Sequence, residues 1–178
     1  ENVKHLINHD KGNTFKTILK DLKELGYKTS WKVLNASDFG VPQNRERVIV
    51  IGHKEIEFDF SKLKTKPKPV LKDFLDKNGP FEFLDEDYTI LTEYKVQESG
   101  LIFIGHRNKS IRIAGVRPGT EHLSRVHKQP NRIYSSEGIH PTLPSQESSG
   151  RFYIYDEGEV RKLTINECYR IMGFPDKF

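Results

Sequence analysis

A short apolar run, Val48-Ile49-Val50-Ile51, limits the possible folds of this chain more than any other feature. A Gly-Val-Pro turn beginning at Gly40 precedes the run, and Gly52 follows it. Four β-branched residues between two turn signals are typical of a buried strand, and they are too few for a helix. We therefore predict a strand here and a fold with a β-sheet core.

Three polar residues, Gln43, Arg45 and Arg47, occupy every second position between that turn and the apolar run. Alternate residues of an extended chain share a face, so the pattern predicts that the three side chains point the same way. Two interpretations remain open. The arginines are either solvated side chains of an edge strand, or two rigid guanidinium forks on a rim that suits an anion or a base edge.

The residues before this block predict a helix followed by a strand. Apolar residues recur at helical spacing in residues 13–25, Asn13 or Thr14 can cap the start, and Gly26 supplies a left-handed stop. Alternation from Tyr27 to Leu34 then predicts a strand. The result is helix, strand, short loop, strand.

Composition narrows the class of partner. The chain has 178 residues, enough for one domain or one and a half, and a net charge of +4 that favours a polyanionic partner. No apolar run approaches a membrane span. The single cysteine, Cys168, excludes an internal disulfide. His5 and His9 have no third ligand of matching spacing, so no metal site is expected.

Basic residues are concentrated in two places. One is the segment 107–132, with seven lysines and arginines against Glu121. The other is the segment 62–72, where five lysines alternate with other residues around Pro67 and Pro69. The first suits a phosphate-lined surface. The second is either a solvated connector or an arm that contacts DNA.

The second half of the chain predicts several short elements. Leu101-Ile-Phe-Ile104 and Ile111-Arg-Ile113 predict strands, Asp156-Glu-Gly-Glu159 predicts a hairpin turn, and residues 115–149 predict a long irregular segment. Thr164-x-x-Glu167 is a capping box that predicts a helix ending at Gly173. Because Cys168 falls within this helix, we interpret it as a packing residue rather than a nucleophile.

Three segments, in order, resemble blocks of the DNA (cytosine-5) methyltransferase family. Glu1-Asn2-Val3 matches its Glu-Asn-Val block, residues 38–48 match the block built around Gln-x-Arg-x-Arg, and residues 161–176 are similar to its late block. The resemblance implies an α/β fold, the C-terminal part of a Rossmann-like methyltransferase sheet, with a smaller, mostly β and irregular target recognition domain. It assigns residues 1–58 to the catalytic domain, 59–155 to a linker and the recognition domain, and 156–178 to a supporting helix.

The resemblance also implies catalytic residues. In the family, a cytosine is swung out of the duplex, attacked at C6 by a cysteine and methylated at C5. A carboxyl placed like Glu1 assists at N3, and arginines placed like Arg45 and Arg47 stabilise charge near O2 and the flanking phosphate. Asn2 and Gln43 fall on supporting positions.

Residues 129–143 are similar to the family's recognition loops, and this implies DNA-binding residues. An arginine placed like Arg132 reads a guanine, with a phosphate contact as the alternative. A glutamine placed like Gln129 can fill the space left by the flipped cytosine. Thr142 matches the family's Thr-Leu anchor.

The chain shows no Pro-Cys dipeptide, no glycine-rich strand-to-helix turn and no final block of the family. The resemblance therefore implies part of an enzyme from a bacterial restriction-modification system, located in the cytoplasm at the nucleoid. Its cofactor would be S-adenosylmethionine, bound mostly outside this chain. Its partners would be double-stranded DNA and a missing N-terminal half or complementary subunit, with no membrane. We expect the isolated chain to be inactive. The alternative is a catalytically inactive, sequence-specific DNA-binding module derived from the family.

Overall fold

The protein forms two compact units. The computed structural model describes residues 1–94, 96–109, 126–144 and 153–175. The first unit comprises Glu1–Gly40 and Arg45–Pro67, and the second comprises Val41–Asn44 and Lys68–Phe178. The predicted boundary after residue 58 lies before the division at Pro67, and the three-segment division stays a prediction.

The described helices and strands follow one another in this order: β1 (Asn2–Val3), α1 (Asn13–Glu24), β2 (Lys28–Asn35), β3 (Gln43–Asn44), β4 (Glu46–His53), β5 (Tyr88–Ile90), β6 (Phe103–Arg107), β7 (Arg132–Ser135), β8 (His140–Pro141), β9 (Tyr153–Asp156), β10 (Glu159–Lys162) and α2 (Ile165–Ile171). Short 3-10 turns join several of them. Neither helix of the described residues is long and apolar enough to cross a membrane.

The first unit is a three-stranded antiparallel sheet with α1 packed on it. The strand order is β1-β4-β2, and β2 pairs with β4 along its whole length. Phe15 of α1 contacts Trp31 of β2 edge to face, with 5.0 Å between ring centroids. The predicted helix and the two predicted strands are thus confirmed, and the strands pair antiparallel.

The start of α1 differs from the prediction. Gly12, with a φ of 89°, occupies the N-cap position, and no side chain caps the helix. The hydroxyl of Thr14 instead lies 2.7 Å from Nδ1 of His9. The predicted stop is confirmed, because Gly26 has a φ of 79°.

The block around Gln43 is not one continuous strand. β3 pairs in parallel with β8, whereas β4 begins only at Glu46 and pairs with β2 and β1. Gln43 is 2% exposed, and its amide donates to the carbonyl of Ile171 at 3.3 Å. The prediction that Gln43 shares a rim with the arginines is therefore wrong, because Arg45 interrupts the alternation.

The second unit is built on a five-stranded mixed sheet in the order β10-β9-β7-β6-β5. Only β7 and β9 run parallel; the other neighbouring pairs are antiparallel. The predicted hairpin is confirmed as β9 and β10, joined at Glu157 and Gly158. The strand predicted at residues 101–104 begins only at Phe103 and runs through Gly105 to Arg107.

A buried ion pair joins the sheet of the second unit to α2. Arg161 of β10 is 3% exposed and donates two hydrogen bonds of 2.9 Å to the carboxylate of Glu167, which is fully buried. Glu167 and Thr164 also form the predicted capping box. Cys168 packs against a core cluster that includes Leu163, in agreement with a packing role.

Some sequence predictions fall on residues outside the described ranges. These are the strand at 111–113, the part of the basic segment from Arg112 to Arg125, and the end of the late block beyond Pro175.

Candidate functional site

The first group of candidate residues lies where β1 meets β4. Asn2 is paired with Val48 and Val3 with Arg47, so in this antiparallel register the residue before β1 lies on the Ile49 side of Val48, and Arg45 must reach back along the sheet towards it. The backbone of Arg45 is held on the other side, because its N–H donates to Oδ1 of Asn35 at 2.9 Å. The hydrogen bonds of the sheet thus fix the backbone positions from which Glu1, Arg45 and Arg47 extend.

The side chains of Glu1 and Arg45 approach each other in solvent. Oε1 of Glu1 lies 3.8 Å from Nη2 of Arg45, and the two side chains are 57% and 39% exposed. An ion pair between side chains this exposed to solvent contributes at most about 1 kcal/mol to the stability of the fold. Both groups can therefore exchange their mutual contact for a ligand at small cost.

Arg47 is more constrained. Its Nη1 donates to the carbonyl of Glu46 at 2.8 Å, and the carboxylate of Glu46 pairs with Lys4 at 2.7 Å. The guanidinium keeps further N–H groups beyond the one that this bond uses. Glu1 and Arg45 thus offer one carboxylate and one guanidinium on a solvent-open surface, which suits a planar ring with donor and acceptor atoms, whereas the contact of the Arg47 guanidinium described here is with the backbone of Glu46.

A second group lies within the second unit, around the start of β7. Nε of Arg132 donates to the carbonyl of His127 at 3.0 Å. Within the described residues, the two terminal nitrogens of Arg132 make no hydrogen bond or ion pair. Oε1 of Gln129 is buried and has no hydrogen-bond partner in the ranges of the chain that the structure describes. Two side chains three residues apart thus retain unused donors and an unused acceptor.

His127 is the residue that orders this segment, and the sequence did not single it out. Its ring stacks on His106 of β6, with centroids 3.8 Å apart and planes 14° from parallel. Burial, together with the nearby His106 and Arg132, lowers the pKa of His127 to about 4. The ring is therefore neutral at pH 7, so no additional positive charge repels Arg132. Because residues 106 and 127 are far apart in sequence, no spacing pattern could have revealed the stack.

Thr142 and Gln43 are linked in the second unit through the parallel pair of strands β3 and β8. The hydroxyl of Thr142 donates to the carbonyl of Asn44 at 2.7 Å. The parallel pair β3–β8 places Gln43 opposite His140 and Asn44 opposite Pro141. Thr142 thus uses its only side-chain donor within the protein, whereas Arg132, among the described residues, uses only its Nε in this way.

The family model for C-5 cytosine-specific DNA methylase matches residues 1–178. The chain is 33% identical over its full length to a type II methyltransferase, M.NgoBI, of Neisseria gonorrhoeae, and covers 50% of it. It is 34% identical over its full length to the type II methyltransferase M.HhaI of Haemophilus parahaemolyticus, and covers 52% of that protein. The chain thus spans about half the length of the curated relatives it matches.

Solved structures match at the level of the fold. The Entamoeba histolytica methyltransferase EhMeth aligns with 96% of this chain and 49% of its own, with a TM-score of 0.54 and 16% identity. The Dnmt2 methyltransferase of S. pombe aligns with 98% of this chain and 53% of its own, with a TM-score of 0.51 and 14% identity. These matches confirm a mixed α/β methyltransferase fold. Together with the full-length match to the family model, they show that the chain belongs to the C-5 cytosine-specific DNA methylase family.

Proposed function

We propose that this chain forms the base-holding and DNA-reading part of a DNA cytosine-C5 methyltransferase of a restriction-modification system. The complete enzyme would transfer a methyl group from S-adenosylmethionine to C5 of a cytosine flipped out of a specific duplex sequence. Support comes from the family membership of the whole chain, and from the geometry of the two groups of side chains described above.

The observation that carries the proposal is the 3.8 Å approach of Glu1 to Arg45 at the β1–β4 junction. Attack at C6 of a cytosine drives electrons onto N3 and O2. A carboxyl group at N3 can supply a proton or a strong hydrogen bond there. A guanidinium beside it can stabilise the charge that develops on O2 and offset the flanking phosphate. We assign these roles to Glu1 and to Arg45 with Arg47, and the ordering of the neighbouring loop to Asn2.

We further propose that residues 59–155 act as the target recognition domain. The unused terminal nitrogens of Arg132 can donate two hydrogen bonds to O6 and N7 of a guanine. The unused amide oxygen of Gln129 can accept from the guanine that loses its partner when the cytosine leaves the stack. Thr142 and Gln43 would hold the recognition segment in place, because each is tied to backbone carbonyls of the second unit.

S-adenosylmethionine, when bound, would supply the methyl group. A helix N-terminus after a glycine-rich strand end is a common cradle for such cofactors. Lys4–Gly12, which directly precede α1, form 3-10 turns rather than a strand, so they do not make this cradle. We propose that the cofactor and the nucleophilic cysteine are supplied by another polypeptide segment.

The test combines this chain with a polypeptide that carries the Pro-Cys and glycine-rich blocks of the family. Transfer of labelled methyl groups to duplex DNA is measured for the mixture. Glu1→Gln should lower the rate by about 10²- to 10⁴-fold, the usual contribution of a positioned acid. The matched control is Glu24→Gln on α1, an exposed acid paired with Lys20, which should leave the rate unchanged.

Equal rates for Glu1→Gln and the control would refute the role of Glu1. Sequence-selective duplex binding with no methyl transfer under any combination would instead support the alternative, a DNA-binding module without catalysis.

A further inference from the structure

Three lysines, Lys62, Lys64 and Lys66, alternate along the segment that ends the first unit, and we call them the lysine row. The segment leaves a 3-10 turn, Phe60–Lys62, and continues without helix or strand to Pro67. Leu63 has a φ of −69° and a ψ of 122°, which is extended backbone. Pro67 further limits the conformations available to this segment.

All three side chains of the lysine row are exposed. In the part of the chain that the structure describes, none of them forms an ion pair with a carboxylate. The pKa of Asp59, the nearest acid in sequence, is lowered first by hydrogen bonding with the side chain of Ser61, then by the bond from the backbone N–H of Ser61, and to a smaller extent by the charge of Lys62. Surface lysines of this chain are otherwise often paired, as Lys4, Lys20 and Lys72 are. The row is thus a positive strip in which, as far as the described residues go, only the charge of Lys62 is partly offset, by Asp59.

The backbone of the row is attached to the loop that positions Arg45. The N–H of Lys66 donates to the carbonyl of Asp38 at 2.8 Å. The side chain of Lys66 lies over Gly40, where an added Cβ would be 3.0 Å from Cδ. Gly40 ends the loop that begins at Asn35, whose side chain accepts the N–H of Arg45. The row is therefore held beside the candidate catalytic arginine rather than left as a free tether.

We propose that the lysine row is a phosphate-binding strip that follows one strand of the duplex next to the flipped cytosine. Alternate residues of an extended chain are about 6–7 Å apart. Neighbouring phosphates of one DNA strand are about 3.4 Å apart along the helix axis but about 7 Å apart in space, because the strand also turns about the axis between them. The two spacings match, and each lysine meets one phosphate. The inference rests on the proposed function in taking duplex DNA as the ligand.

The test is the salt dependence of duplex binding by the protein and by the triple variant Lys62→Gln/Lys64→Gln/Lys66→Gln. Loss of three phosphate contacts should reduce the slope of log K against log salt by about 2.7, that is 0.9 for each contact. Raising the salt concentration from about 50 to 200 mM should then weaken duplex binding by the triple variant about 40-fold less than it weakens binding by the unchanged protein. Because phosphates carry no sequence information, affinity should fall equally for all duplexes of one length.

The matched control is Lys16→Gln/Lys20→Gln/Lys23→Gln on α1, which removes the same charge from the same unit and should change the slope by less than about one. Fluorescence of Trp31, which packs against α1 in this unit, verifies folding of both variants. An unchanged slope in the row variant would overturn the inference, as would equal slopes in both variants or an absence of duplex binding at low salt. Methyl transfer that persists in the row variant at low salt leaves the proposed function standing whichever slope is found.

Discussion

Replacing Glu167 by leucine should strongly destabilise the second unit, because it leaves Arg161 charged in the core. The carboxylate of Glu167 is fully buried and accepts four hydrogen bonds. Two come from Arg161 at 2.9 Å, one from the backbone N–H of Asp76 at 2.8 Å, and one from that of Thr164 at 2.7 Å.

The magnitude follows from these contacts. Removing one partner of a buried ion pair costs about 3–5 kcal/mol, and each donor left without an acceptor adds about 1 kcal/mol when part of it can reach water. Part of this loss is offset by two remaining partners of Arg161. Asp156 lies 3.5 Å away, and the ring of Phe81 lies against the guanidinium. We expect a loss of about 4 kcal/mol, a large share of the stability of a domain.

Amide hydrogen exchange at increasing urea concentrations measures the stability of each unit separately. Amides of β9, β10 and α2 should lose protection at a midpoint about 2 M lower, whereas amides of β2 and β4 in the first unit should not change. The control Glu137→Gln breaks a pair with Lys72 in which both side chains are more than half exposed, and should cost under about 1 kcal/mol. The double variant Arg161→Met/Glu167→Leu should recover most of the loss, since it removes both charges of the fully buried pair. If the double variant were no more stable than Glu167→Leu, the buried charge would not be the cause.

Three further predictions follow from single positions. Burial lowers the pKa of His140 from 6.5 to about 4. Below pH 6.5 the unfolded chain therefore binds the extra proton, and stability should fall by up to about 3 kcal/mol as pH drops to 4. Urea titrations at several pH values should show a flatter dependence for His140→Asn. Gly105→Ala should cost about 1–3 kcal/mol, because its Cβ would lie 2.4 Å from the carbonyl oxygen of Thr89. In Gly158→Ala the new Cβ would enter open space, and only the φ of 92° would be strained. Thermal unfolding should therefore show a loss of stability of only about 1–2 kcal/mol. Arg132→Lys should lower discrimination for guanine by about 1–3 kcal/mol in competition binding while the salt slope stays the same; retained discrimination would contradict the assigned base contact.

Local patterns predicted the local elements well. The apolar stripe of α1, the alternation of β2, the glycine stop at Gly26 and the capping box of α2 depend on residues within a few positions of each other. Spacing in the sequence carries this information directly. The family blocks likewise pointed to Glu1 and Arg45, whose side chains lie 3.8 Å apart, while their catalytic roles stay a prediction.

Contacts between distant segments could not be predicted in this way. Gln43 continues the alternation of Arg45 and Arg47 in sequence, yet it leaves their strand because β8, almost a hundred residues later, offers a parallel partner. The stack of His106 on His127 depends on the β6–β7 register, which neither histidine reveals. Pairing between strands far apart in sequence is decided by packing, and periodicity within one strand does not report it.

The membership of β3 in the second unit limits how the protein can be cut. A proteolytic or recombinant fragment starting at Lys68 would lack the carbonyl of Pro42, which accepts from the N–H of His140. It would also lack the carbonyl of Asn44, which accepts from Thr142. Such a fragment retains every residue expected to read DNA but loses the short strand that anchors the recognition segment, so neither unit corresponds to one uninterrupted stretch of gene.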